Sequence, residues 1–576
     1  MTHTAYTRAL GAVLVLLGML VALPAWADSA RLIVHYEQGA MKLGTTLGYA
    51  EVVGLRHGRE ILRVPAASVA AVREDLLRRP GVRAVVRDRQ RRSPVPVARR
   101  EGPAVSAQLL ARSQPPVLDD SGNPLFSDPA FPEQSYWADP ERQPEHAGAS
   151  VLGEAVKATR VVEPPRVAVL DSGVAGYPEG PEWAGGVNMV SEEAGAWGPL
   201  ASSEWRILPQ YSARCDTSPA RHGSQIGAML AAPRDNGYGI AGVMPAIELY
   251  AARVLNCEGA GRVSDVADAI EWAAGVDSGR PGVEPLAEPV DVISLSLGAE
   301  QPCTVSEQQA IDRARARGVL VVASAGNDPT RDPRDSSPAN CDGVLSVTAL
   351  DAAGDHVPDG VTVGPGADLA AQGFEVAVED DRSGRWFATG TSFSAPIVTA
   401  SAALALANVP SLTVDELEQA LLTTARAPNL SATVSVDEQD FGAGIVDALG
   451  TLEAVAGART DPRGAALAPP LEQARSSALR AAMGAALEAD GLVADAGALR
   501  ELTVAEPYPR SEVVLFAVPV DAGMQVESAS ELAATGNQRM VVGPLREDRD
   551  YGIQFCDGSL GARECESRAL VPVSAD

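Results

Sequence analysis

The chain reads as an α/β protein with a doubly wound parallel sheet, preceded by a small α+β unit and followed by a small β-domain. Two observations predict this. From about Ala155 to Gly457, apolar β-branched runs (VVEPPRVAVLD, IELYAARVL, VDVISLSLG, GVLVVASAG, GVLSVTALD) alternate with helical patterns such as VSDVADAIEWAAG and SEQQAIDRARARG. Strands separated by helix-length segments predict parallel pairing through crossover helices. The chain has 576 residues, 46% of them apolar, which allows a large core and several domains and rules out wholesale disorder.

The elements follow in order. Residues 9–24 are short and apolar, with Arg8 before them and Ala25-Trp26-Ala27 after, so 1–27 reads as a secretory signal peptide. The run is shorter than the ~20 residues a membrane span needs, so no membrane anchor is expected after cleavage. The expected location is secreted or periplasmic. Residues 28–100 start with the strand RLIVHY. An amphipathic helix over Ala67–Arg79 follows, and then a second strand, VRAVVRD, after the Pro80-Gly81 turn. From Gln90 to Pro144 the composition is that of a linker, so 101–144 is taken as linker and N-terminal arm. The α/β domain is expected over 145–457. It ends in a helix from Ser392 and another opened by the capping box of Thr413 and Glu416. An Ala-rich linker over 458–500 leads to a β-domain over 501–576 that holds EVVLFAVPV, RMVVGPL and YGIQFCD.

Charge is unevenly placed. Residues 1–100 carry 16 basic and 7 acidic side chains, a net of +9, whereas the remainder carries 31 and 68, a net of −37. A total of −28 argues against a nucleic-acid partner. A basic front and an acidic body would attract one another. Six cysteines, Cys215, Cys257, Cys303, Cys341, Cys556 and Cys565, fit an oxidising compartment, and none forms the C-x-x-C pair of a structural zinc site.

Three segments carry chemistry. Asp171 ends the apolar strand VAVLD, at the carboxyl edge where open α/β sheets place their sites. His222 lies in Arg221-His222-Gly223-Ser224, at the start of an apolar helix. Ser392 follows Gly390-Thr391 and opens a helix whose positive end favours developing negative charge. A serine becomes a nucleophile when a base takes its proton, and the base needs an orienting carboxylate. One candidate of each kind is present.

In the order Asp…His…Ser, the motifs DSG, HGS and GTSFSAP, together with Ser324-Ala325-Gly326-Asn327, resemble those of the subtilisin-like serine proteases (peptidase S8), in particular the secreted bacterial members. The resemblance implies that Ser392 attacks the scissile carbonyl, His222 is general base and then acid, Asp171 orients the imidazole, and Asn327 supplies the oxyanion hole. It implies an extended peptide bound between Ser296-Leu297-Gly298 and Gly259-Ala260-Gly261, with Asp328 a candidate for a basic specificity pocket. It also implies an inhibitory propeptide over 28–100, removed by the enzyme itself, and protein or peptide substrates. Calcium is implied through Asn236, Gln134 and Glu179, and no cofactor is needed for the chemistry. By the same resemblance Cys303–Cys341 and Cys215–Cys257 would pair, and Cys556–Cys565 would close a short loop. The motif HGSQIGA departs from the family's H-G-T-x-V-A-G by exchanging Gly and Ala at 227 and 228. Two other readings stand beside this one: a catalytically dead binding protein on the same scaffold, and a lipase or esterase. The complete Asp-His-Ser set argues against the first. The missing G-x-S-x-G and the chain order argue against the second.

Overall fold

The computed structural model describes residues 29–37, 50–56, 58–92, 99–101, 117–118, 123–175, 180–191, 205–207, 218–357, 360–380, 384–431, 436–460, 516–519, 538–540 and 551–557. The expected signal peptide and the Ala-rich segment beyond 460 lie outside these.

The N-terminal unit is an antiparallel sheet of β1 (Ser29–Tyr36), β2 (Glu51–Arg56), β3 (Arg59–Pro65) and β4 (Val82–Arg87), in the order β2-β3-β1-β4. Helix α1 (Val69–Leu77) is shorter than the expected Ala67–Arg79, because a 3₁₀ turn over Ala66–Ser68 precedes it. Side chains alternate along a strand. Leu32, Val34 and Tyr36 pack with Val72 and Leu76 of α1 in the unit's own core. Arg31 and His35 point the other way and bond to Ser264 and Ser306 of the next domain. The following strand, β5 (Gln90–Arg92), leaves the unit altogether.

The main sheet has seven strands: β6 (Arg166–Asp171), β7 (Trp183–Asn188), β8 (Glu248–Arg253), β10 (Val292–Leu295), β11 (Leu320–Ser324), β12 (Val344–Leu350) and β13 (Leu369–Gln372). A short strand, β9 (Ala260–Arg262), lies outside it and pairs antiparallel with β5. The order is β13-β12-β11-β10-β6-β8-β7, with every pair parallel. Chain order reverses at β6, so its carboxyl end is the crevice where such sheets bind ligands. Buried on both faces, β6 sends Val167 and Val169 to one core and Ala168 and Leu170 to the other. The first core is covered by α2 (Ser218–Ala231), α5 (Thr391–Asn408) and α6 (Val414–Thr423). The second is covered by α3 (Val263–Ala273) and α4 (Val305–Ala316). Thr413 and Glu416 form the expected capping box of α6.

Linker composition misleads over 123–150. Phe131, Tyr136 and Trp137 in that stretch are fully buried in the first core, so its prolines shape a packed arm. Cys303 and Cys341 form a disulfide with a Cα–Cα distance of 5.1 Å. Cys257 is disulfide-bonded as well, and Cys215, its expected partner, lies outside the described residues. Where a C-terminal β-domain was expected, strands Phe516–Pro519, Gln538–Met540 and Tyr551–Asp557 pair antiparallel. Cys556 is in the last of these and Cys565 lies outside the described residues. Among the described residues no helix is long and apolar enough to cross a membrane.

Candidate active site

Asp171 ends β6 and is fully buried. Its carboxylate accepts from the Ser172 amide at 2.6 Å, and its two oxygens lie 3.0 and 2.8 Å from His222 Nδ1. The hydroxyl of Ser172 locks this pairing in place. It donates to the Ala220 carbonyl and accepts from the Gly223 amide, on either side of His222 in α2. With Nδ1 committed to a carboxylate, the other ring nitrogen is left to act. His222 Nε2 is buried and has no hydrogen-bond partner among the described residues.

Ser392 is the second residue of α5, and the imidazole of His222 packs edge-on against Phe393, with ring centroids 5.7 Å apart. The Ser392 hydroxyl is 3.5 Å from the Ser296 carbonyl and makes no bond to His222. Pro396 sits four residues further along the helix and has no N–H for the Ser392 carbonyl. The Ser296 hydroxyl takes over that carbonyl at 2.8 Å. Ser296, expected to bind substrate, thus also anchors the first turn of α5. Sequence reasoning missed this tie, although the proline four residues after the serine was its signal.

Asn327 follows β11. Its Oδ1 accepts from the Thr391 amide at 2.9 Å and the Thr391 hydroxyl at 3.0 Å. That fixes the amide's orientation and leaves Nδ2 as a buried donor without a partner among the described residues. Gly390 has φ +151, and a Cβ there would lie 2.7 Å from Asn327 Nδ2, so only glycine admits the amide. The Ser392 amide is among the donors an α-helix leaves unpaired at its start.

The segments expected to flank a bound peptide both meet β5. Gly261 and Gly298 both pair with β5: Gly261 opposes Arg91, and Gly298 and Arg92 exchange both backbone hydrogen bonds at 3.1 Å. Gly259 lies in the turn before β9, where its amide donates to the Asn256 carbonyl. Leu297 turns its side chain into the second core. Asp328 is held in its own loop, accepting from the Thr330 amide and hydroxyl, which keeps its carboxyl below the ordinary range.

Of the oxygens expected to hold calcium, two already take part in ties within the protein. Gln134 Oε1 accepts from the Ala241 amide and Asn236 Oδ1 from the Tyr238 amide, so each oxygen serves as a tie within the protein. Glu179 lies outside the described residues. Among the described residues no group of three His, Cys, Asp or Glu side chains could hold a metal.

With this geometry in hand, the comparisons are specific. The family described as "Subtilase family" matches residues 165–446. Subtilisin DY of Bacillus licheniformis is 30% identical over 262 residues, which is 45% of this chain and 83% of that protein. Subtilisin Savinase of Lederbergia lenta is 31% identical over 285 residues, 49% of this chain and 88% of that protein. The extracellular basic protease of Dichelobacter nodosus is 34% identical over 267 residues, 44% of this chain and 42% of that protein. The match therefore spans less than half the length of that last relative. The parallel sheet with helices on both faces is that of the α/β class to which subtilases belong. The chain belongs to the subtilase family.

Proposed function

We propose that this chain is a secreted serine endopeptidase that hydrolyses peptide bonds through an acyl-enzyme and removes its own N-terminal propeptide. One observation carries the reading: two buried nitrogens without a hydrogen-bond partner among the described residues, His222 Nε2 and Asn327 Nδ2, belong to side chains that meet the immediate neighbours of Ser392, the imidazole against Phe393 and the Asn327 Oδ1 on the Thr391 amide. His222 takes the Ser392 proton as the hydroxyl oxygen attacks the carbonyl carbon, and returns it to the leaving amine. Asp171 keeps Nδ1 protonated and stabilises the imidazolium. Asn327 Nδ2 and the Ser392 amide meet the oxyanion. Residues 28–100 act as an intramolecular inhibitor. In support, β5 pairs with β9 and bridges Gly298, and Arg99–Glu101 pairs with Gly384–Ala388, so the chain is held to the catalytic domain on both sides of 93–98. The names of relatives such as the extracellular basic protease support export.

The test is maturation. Ser392→Ala should accumulate as a precursor that retains its N-terminal unit, whereas wild type loses it and becomes sensitive to serine-directed inhibitors. N-terminal sequencing of both forms, made in a host lacking other proteases, decides. Processing of Ser392→Ala at the wild-type position would rule out self-cleavage.

A further inference from the structure

Most buried ion pairs of the N-terminal unit tie its sheet to α3. Arg91 is different, because it lies on β5, between β9 and Gly298. That is where an extended substrate would add as a strand. The Arg91 side chain is fully buried, and so is Glu307 against it. Arg91 Nε and Nη2 donate to Glu307 Oε1 at 2.8 and 2.5 Å, and Nη2 also reaches Oε2 at 2.6 Å. Ser337 Oγ donates to the same Oε2 at 2.9 Å and lies 3.3 Å from Arg91 Nη2. Glu307 is held from its own side too. It is the third residue of α4 and closes a capping box with Thr304.

We propose that Glu307 is a specificity-determining residue, the floor of a subsite that selects arginine in the substrate. This rests on the peptidase reading, since it treats β5 as the stand-in for a bound substrate strand. The register gives the position. Arg92 opposes Gly298 in an antiparallel bridge, so the substrate residue two places further on opposes Ser296, whose carbonyl is 3.5 Å from Ser392 Oγ. If that residue supplies the carbonyl under attack, the selected arginine is the fourth residue on the amino side of the cleaved bond. Selectivity follows from desolvation. An apolar side chain there leaves a buried carboxylate facing no cation, the kind of mismatch that discriminates strongly. Lysine offers one point charge where the pocket presents two oxygens to a planar fork.

A merely structural Glu307 would cap α4 and latch the N-terminal unit without selecting substrates. Internally quenched peptides that differ only at the fourth residue (Arg, Lys, Gln or Leu) separate the two roles. With mature wild type, kcat/KM for the Arg peptide should exceed that for the Leu peptide by roughly 10²-fold, with Lys between. Glu307→Gln keeps a capping-box side chain and removes the charge. In that variant the Arg-to-Leu ratio should fall to within a few-fold. Equal rates across the wild-type series overturn the proposal, and that series decides alone if Glu307→Gln folds poorly. An arginine preference that survives in Glu307→Gln overturns it as well. If wild type cleaves neither the peptides nor a denatured protein, the peptidase reading itself falls.

Discussion

Asn327 has a donor to spare only because Thr391 claims its oxygen twice and Gly390 leaves room for its amide. In the proposed reaction that donor meets charge that exists in the transition state and not in the bound peptide. Asn327→Ala should therefore lower kcat by roughly 10²–10³-fold and leave KM nearly unchanged in steady-state kinetics on a peptide substrate. A normal kcat would place the oxyanion donor elsewhere. Asp171, His222, Ser392 and Asn327 could be singled out in the sequence because each sits in an extended motif whose neighbours do visible work. Thr391 orients Asn327, Gly223 meets the Ser172 hydroxyl, and Pro396 frees the Ser392 carbonyl for Ser296. Beyond the hint that Pro396 gives of a freed carbonyl, the ties between motifs were not legible, since each joins residues far apart in the chain through a hydroxyl whose partner only the fold supplies.

Among the elements, α2 explains the exchange at 227 and 228. It crosses beneath Trp183 of β7, and a Cβ on Gly227 would lie 2.4 Å from the indole Cζ2 and 2.7 Å from Cη2. The indole is rigid, so the glycine is required by this neighbour. Gly227→Ala should destabilise the domain by ~1–3 kcal/mol through overpacking, read as a lowered Tm on a Ser392→Ala background that avoids autolysis. A second change, Trp183→Phe, should recover part of the loss, because neighbours in contact couple. Additive effects would mean that the ring is not the obstacle. Strands β6, β8, β10, β11 and β12 were legible for a related reason: strands buried on both faces read as unbroken apolar runs, and their crossover helices must separate them. The edge strands β7 and β13 were not, β7 because its residues are mostly only partly buried and β13 because it is four residues long. The arm over 123–150 was not, because 3₁₀ turns such as Phe131–Glu133 and Ser135–Trp137 have no long period, and their aromatics reveal themselves only by burial.

Across the whole molecule, the basic front and acidic body foreseen from the charge distribution meet as buried pairs. Arg56 and Arg59 reach Asp268 of α3 at 2.7 and 2.6 Å, and Arg59 reaches Glu271 at 3.1 Å. Burial would raise Asp268, yet Arg59, Arg56 and Arg280 hold its carboxyl below the ordinary range. Burial raises Glu271 in spite of Arg59 and Arg313. Between these pairs sits His35, 2% exposed, with Nε2 2.9 Å from Ser306 Oγ of α4. Burial first, then the charges of Arg59 and Arg83 and, more weakly, Arg313, push its pKa from 6.5 to about 3, while the Gln309 side chain opposes them. The docked histidine is thus neutral, and a released one takes a proton at its ordinary value. Its contribution to docking is therefore complete above pH 6.5 and is lost as pH falls from 6.5 toward 3, by up to about 1.4 kcal/mol for each unit. Carboxylates at the same interface titrate in this range too, and Glu271 acts in the opposite sense because its pKa is raised. The histidine is isolated by comparing two full-length proteins, Ser392→Ala and Ser392→Ala with His35→Gln, whose amide can still meet Ser306. Calorimetric melting of the N-terminal unit between pH 7.5 and 5 should show the first losing Tm on acidification more steeply than the second. Parallel slopes would mean that His35 is not what makes docking of the N-terminal unit sensitive to acid.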